Sequence, residues 1–161
     1  MTAGRLGIGG MMIREATPDD ASAIADLYLA SRDDALPGLR KVHTDDAVRD
    51  WVARFLLVRD RVWVAEREGT IVGFIALHDD WVDQLYLRPG CHRQGIGTAL
   101  LMIAKRVSPR GLRLFCFQRN GRARAFYEAH GFVAVRFSDG TDNEEQEPDI
   151  KYVWAAGSYL S

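Results

Sequence analysis

The chain is predicted to fold as a mixed α/β (α+β) domain, a mostly antiparallel central sheet of about seven strands flanked by about four helices. Three observations predict it. Runs rich in Val, Ile, Phe, Tyr and Trp recur at strand length, and stretches with apolar residues three and four apart recur at helix length. Glycine, proline and aspartate turns separate the two kinds of segment. At 161 residues, 47% hydrophobic and 27% charged, the chain has the length and composition of one domain able to bury its own core.

The ten residues MTAGRLGIGG lack the apolar centre of a signal peptide. Residues 1–11 read as a flexible leader and residues 12–161 as a single domain. MIREAT is a short strand, after which Pro18-Asp19-Asp20 opens a helix with Ile24, Leu27 and Tyr28 on one face. A Pro37-Gly38 break leads to Thr44 or Asp45, either of which can cap a second helix carrying Trp51, Val52, Phe55 and Leu56. RVWVAERE, IVGFIALH and WVDQLYLRP follow as three strands joined by turns at Gly69-Thr70 and Asp79-Asp80, most simply an antiparallel meander. Next come a glycine turn, the helix ALLMIAKRV and the near-continuous apolar strand GLRLFCFQ. A helix from about Gly121 to His130, the strand FVAVRF, an acidic stretch and the strand IKYVWAA complete the order.

Lys plus Arg number 21 against 22 Asp plus Glu, a formal net charge of -1. No global basic field draws this chain to nucleic acid, so any anion it binds is bound locally. The longest apolar run, ALLMIA, is far short of a membrane span. Cys91 and Cys116 form neither a metal-type pair nor a disulfide framework, which fits a reducing cytoplasm. His43, His78, His92 and His130 share no ligand spacing, so no metal is expected.

HRQGIGTALL, residues 92–101, places Gly95 and Gly97 where a helix begins. A helix start presents unpaired N–H groups and a partial positive charge, and glycine lets a phosphate approach without a Cβ in the way. The same glycines also allow a helix to pack tightly on a strand, and the three-residue pattern alone leaves both readings open. A P-loop is excluded because Thr98-Ala99 follow Gly97. A dinucleotide fingerprint is excluded because Leu100 stands where its third glycine belongs.

LYLRPGCHRQGIGTALL resembles motif A of the GNAT N-acetyltransferase superfamily. NGRARAFYEAHGF, residues 120–132, is similar to that family's second motif and lies one strand later, as the family's order requires. The resemblance covers nearly the whole chain from Met12 to about Ala155; the departures are His92, where Arg or Gln is usual, and Arg93, where Gly is frequent. It implies acetyl-CoA as cosubstrate, with the pyrophosphate on the backbone of Gln94, Gly95, Ile96, Gly97 and Thr98, beside His92 and Arg93. It places the pantetheine arm along the backbone of Leu85, Tyr86 and Leu87, with a hydrogen bond from Asn120.

Tyr127 stands where the family places the acid that protonates the departing thiolate, and a phenol of pKa about 10 is a competent donor to it. Asp83 lies close to where some relatives carry the general base; a solvent-facing strand-end aspartate is the equal alternative, and Glu66 is a weaker candidate. Cys91 reads as incidental and Cys116 as core. Arg119, Arg122 and Arg124 form either a solvated helix face or a contact to the cofactor's 3′-phosphate.

The acceptor is a small-molecule or peptide amine, and the resemblance also leaves room for a homodimer built on a sheet edge. SDGTDNEEQEPD, residues 138–149, carries six acids and no base. On composition it is a solvated loop; set beside the acceptor site, its Glu144 and Glu145 would attract a cationic amine, with His43 adding a polar contact. A catalytically silent CoA-binding sensor or interaction module is the alternative function. An RNA-binding domain is a distant third.

Overall fold

The computed structural model describes residues 6–8 and 10–156. Eight strands form one sheet in the order β1-β2-β3-β4-β5-β6-β8-β7. They are β1 (Leu6–Ile8), β2 (Met11–Glu15), β3 (Arg61–Arg67), β4 (Thr70–His78), β5 (Trp81–Leu87), β6 (Gly111–Phe117), β7 (Val133–Ser138) and β8 (Asp149–Ala155). Seven are the strands expected from the sequence. The eighth, β1, pairs antiparallel with β2, so Leu6–Ile8 and Met11 belong to the sheet where the sequence reads as leader; residues 1–5 and 9 lie outside the described residues.

The helices are α1 (Ala21–Ala35), α2 (Asp45–Trp51), α3 (Leu57–Arg59), α4 (Ile96–Val107) and α5 (Gly121–Ala129). Thr44 supplies the α2 cap, its hydroxyl accepting from the Ala47 N–H at 3.1 Å. After Trp51 the same helix widens into a π-helical stretch, Val52–Leu56, before α3; this widening carries no sequence signal. At the β3–β4 turn Glu68 and Gly69 both have positive φ, 52° and 76°, the two-residue geometry that matches strand twist.

β3 and β4 read as continuous apolar runs because both of their faces are covered. Val62, Val64, Phe74 and Ala76 pack with Ile24, Leu27 and Val52 from the first two helices. The alternate residues Trp63, Ala65, Ile75 and Leu77 pack with Leu100, Leu101 and Ala104 of α4. The β7 edge is different: Val133, Val135 and Phe137 are each more than half exposed. Among the described residues no helix is long and apolar enough to cross a membrane.

Candidate active site

All neighbouring strands run antiparallel except β5 and β6, which are parallel and share one register pair, Trp81↔Arg113. That pair is held by Asp80, whose carboxylate accepts from Arg113 at 2.7 and 3.0 Å, and by Trp81 stacked on Phe115 with centroids 5.1 Å apart. Beyond it the two strands diverge and open a cleft. The Arg88 N–H bonds Val72 O at 2.8 Å, so by strand alternation Tyr86 and Gln84 direct their backbone groups to β4. The groups of Leu85 and Leu87 are left on the cleft side. One of them, the Leu87 carbonyl, accepts from the Ser31 hydroxyl of α1.

On one side of β5 lies a cavity of about 550 Å³, lined among others by Leu85, Tyr86, Leu87, His92, Arg93, Gly95, Gly97, Thr98 and Asn120. These are nine of the eleven residues expected at a cofactor. The other two do not line it: the Ile96 side chain is fully buried in the core, and the Gln94 amide bonds Arg67 and the Gly90 carbonyl. Gly95 caps α4 in the left-handed region at φ 82°, with nothing within 4 Å of where a Cβ would stand. Gly97 is used otherwise. A Cβ there would meet the Phe126 ring at 3.2 Å, so Gly97 packs closely on α5 while Gly95 stands in open space.

The first helical bond of α4 runs from Ala99 N to Gly95 O at 3.0 Å, so the N–H groups of Ile96, Gly97 and Thr98 precede the helical ladder. Arg93, where glycine is frequent, sits at φ 63°, a conformation that costs a non-glycine residue about 1–2 kcal/mol. Burial and the nearby Arg122 push the His92 imidazole below its ordinary pKa. Of the three arginines noted in the sequence, Arg122 lines this cavity. Arg119 instead binds Glu147 and the Pro37 carbonyl, and Arg124 binds Gln118 O and the Tyr152 hydroxyl. Asn120 spends its side-chain oxygen capping α5, accepting from the Ala123 N–H at 3.2 Å; its amide nitrogen is the group left for a ligand.

A second cavity of about 420 Å³ lies on the far side, and Tyr127, Asn120, Leu85 and Tyr86 line both. Tyr127 is buried among Phe126, Phe132 and Tyr152, with centroids 5.3 to 6.3 Å away. Desolvation holds its phenol well above the ordinary tyrosine range, so it stays protonated. Asp83 also lines this cavity. Burial and the neighbouring Asp60 carboxylate push its carboxyl up to about 6, against the pull of Arg59, which donates to it at 2.8 Å. Glu66 is placed elsewhere, bound by Arg14 at 2.6 Å. Burial pushes the Cys116 thiol up to about 12, which rules it out as a resting nucleophile.

The acidic loop meets the second cavity unevenly. Glu145 lines it and pairs with Arg32 of α1 at 3.2 Å. Glu144 pairs with His43 at 2.9 Å, both side chains more than half exposed, and neither residue lines the cavity beside Tyr127. His43 belongs to a third cavity, about 320 Å³, separated from the second by Arg32, Glu145 and Leu36, which line both. Sequence reasoning missed Ser31, Arg32, Arg59 and Asp60, because each reaches the site through the fold from a segment without a motif. Among the described residues no group of three His, Cys, Asp or Glu side chains could hold a metal ion.

Residues 58–134 match the family described as Acetyltransferase (GNAT) domain. The peptidyl-lysine N-acetyltransferase YiaC of Escherichia coli strain K12 is 31% identical over 125 residues, covering 77% of this chain and 84% of that protein. Among solved structures, apo YjaB from Escherichia coli is similar with a TM-score of 0.75 and 24% identity, over 91% of this chain and 99% of that one. The PaiA N-acetyltransferase of Thermoplasma acidophilum, solved in complex with coenzyme A, is similar with a TM-score of 0.68 and 20% identity, over 90% and 98%. The two structures carry the fold, and the YiaC match carries the family. A strand splayed from its parallel neighbour, a glycine-capped helix beside it and a homologue of this extent lead to one conclusion: the chain belongs to the GNAT superfamily of N-acetyltransferases and is an acyltransferase.

Proposed function

We propose that this enzyme transfers the acetyl group of acetyl-CoA to a primary amine of a small molecule or peptide by direct attack, with Tyr127 protonating the CoA thiolate. The observation that carries this reading is that the cavity under the α4 glycine turn and the cavity facing the acidic loop meet at β5, with Tyr127 lining both. The N–H groups of Ile96, Gly97 and Thr98 receive the pyrophosphate at the positive end of α4. The cleft-facing backbone of Leu85 and Leu87 pairs with the pantetheine amides and offers an N–H to the oxygen on which negative charge develops. Leu87 keeps that N–H free, since its carbonyl alone is held by Ser31.

Asp83 takes a proton from the acceptor ammonium, because only the neutral amine attacks. As the C–S bond breaks, the Tyr127 hydroxyl protonates the sulfur. Its burial makes a lasting phenolate unfavourable, so the proton released by the attacking nitrogen restores the phenol and the residue ends neutral. The Escherichia coli relative is named for peptidyl-lysine, and a lysine side chain is slender enough to enter a cavity of about 420 Å³. The free thiols of Cys91 and Cys116 are consistent with a cytoplasmic enzyme.

A panel of small amines and lysine-bearing peptides, incubated with acetyl-CoA and followed by thiol release and product mass, tests the reading. Tight acetyl-CoA binding without transfer to any amine would instead favour a non-catalytic CoA-binding sensor.

A further inference from the structure

Behind Asp83 lies a polar group that the reaction as described does not use. Asp60 ends the α3 segment, and its side chain has no solvent exposure. Arg59 bridges the two acids, its Nε donating to Asp60 Oδ1 at 2.7 Å and its Nη2 to Asp83 Oδ2 at 2.8 Å. The other Asp60 oxygen, Oδ2, is buried without a partner. One guanidinium thus serves two carboxylates, and a buried carboxylate oxygen without a donor is unfavourable. A proton taken up at the pair leaves one negative charge against one positive charge and supplies a donor where the two carboxylates have too few.

The geometry points to Asp60 as a positioning residue for Asp83: both acids are ionised before the transfer, and the buried Asp60 carboxylate, fixed by Arg59, shares the proton that Asp83 accepts from the acceptor cavity. The inference rests on the acetyl transfer proposed above, with Asp83 as base. In the step concerned, R–NH3+ and the Asp83 carboxylate become R–NH2 and the carboxylic acid. The amine then attacks the thioester, and the products are the amide, CoA thiol and one proton, which leaves Asp83 for solvent. His78 Nδ1 stands 3.7 Å from Asp60 Oδ1 on the solvent side, with Asp79 beside it. The other groups facing the pair are the phenols of Tyr28 and Tyr86, the Arg32–Glu145 pair and, across the cavity, Arg136, Lys151, Asp142 and Asp149. Among the described residues Arg59 alone of the cations contacts both acids.

The direction of the Asp83 shift agrees, since burial and the Asp60 contact both favour its protonated form. Asp60→Asn keeps the shape and removes the negative charge, so Asp83 should ionise more easily. The experiment is a carboxyl ¹³C NMR titration of the full chain, assigned with Asp83→Asn, together with kcat/KM for the best amine as a function of pH. In the native protein Asp83 should titrate near 6. In Asp60→Asn its midpoint should fall by about one pH unit, a tenfold change in proton affinity. The acidic limb of kcat/KM should move with it, and KM for acetyl-CoA should stay unchanged.

An Asp83 signal that titrates at the ordinary carboxylate value in the native protein overturns the inference. So does a midpoint, or an acidic limb, that Asp60→Asn leaves in place. If that variant fails to fold, the midpoint of Asp83 in the native protein decides. The titration is read without turnover, so it separates a failure of this inference from a failure of the reading beneath it.

Discussion

The two sides of the β5 cleft are built by opposite means. The side proposed for the cofactor draws mostly on three consecutive segments, the end of β5, the turn through Gly95 and Gly97, and the head of α5, with Ser31 and Ala35 added from α1. The side proposed for the acceptor carries, on an otherwise largely uncharged lining, charged side chains from scattered places, with Arg32 from α1, Asp83 from β5, Arg136 from β7, Glu145 from the acidic loop and Lys151 from β8. The difference separates what is held constant from what is free to vary. A ligand bound through main-chain groups constrains conformation and tolerates few substitutions, whereas a cavity lined by side chains can be retuned one residue at a time.

The largest expected effect lies where the two sides meet. Tyr127→Phe should lower kcat by roughly 10²-fold or more while acetyl-CoA binding barely changes, because a general acid acts in the transition state alone; steady-state kinetics beside calorimetry would show the split. Unaltered turnover would hand the proton to water and make the boundary between the sides a matter of shape.

Gly95→Val breaks the cofactor side specifically. It forces a β-branched residue into the left-handed region, at a cost of about 1–2 kcal/mol in stability. It also places a side chain where phosphate should rest, so acetyl-CoA affinity should fall at least about tenfold. An unchanged calorimetric affinity would mean that this side is not made of backbone after all.

Glu145→Gln probes the acceptor side and should raise KM for a cationic amine a few-fold, an effect that shrinks as salt rises. Glu144→Gln should stay within about twofold, since that exposed carboxylate faces His43 in solvent. Equal effects of the two changes would move the acceptor side outward onto the loop.

The same contrast decides what the sequence shows. Seven strands, four helices and the glycine turn are legible because each is a local pattern of period, cap or positive φ. Tyr127 and Asn120 are legible through the motif around them. The divergence of β5 from β6 is not, because nothing in WVDQLYL announces that its partner will be parallel and joined at one register pair. Asp60 is hidden for a related reason. Arg59-Asp60 reads as a polar pair at a helix end, and burial of the aspartate follows only from β4 and β5 closing over it. The acidic loop misleads by composition: six acids without a base suggest a free negative field, yet Arg32, His43 and Arg119 reach across to Glu145, Glu144 and Glu147.

The single β5–β6 pair also orders events along the chain as it is made. Strands β2 to β5 pair in sequence order, through hairpins from β3 onward, with α1 and α2 as the one insertion. By contrast β6 finds its antiparallel partner in β8, with α5, β7 and the acidic loop lying between them. Short-range pairings close before long-range ones, so the N-terminal meander is expected to form while the remainder is still emerging from the ribosome. Pulse-labelled amide exchange during refolding should accordingly protect Phe74 and Ile75 before Leu114 and Tyr152. The half-finished enzyme would thus hold its α4 glycine turn before it possesses Tyr127, and a stalled or truncated chain would be a folded sheet without the acid proposed for the transfer.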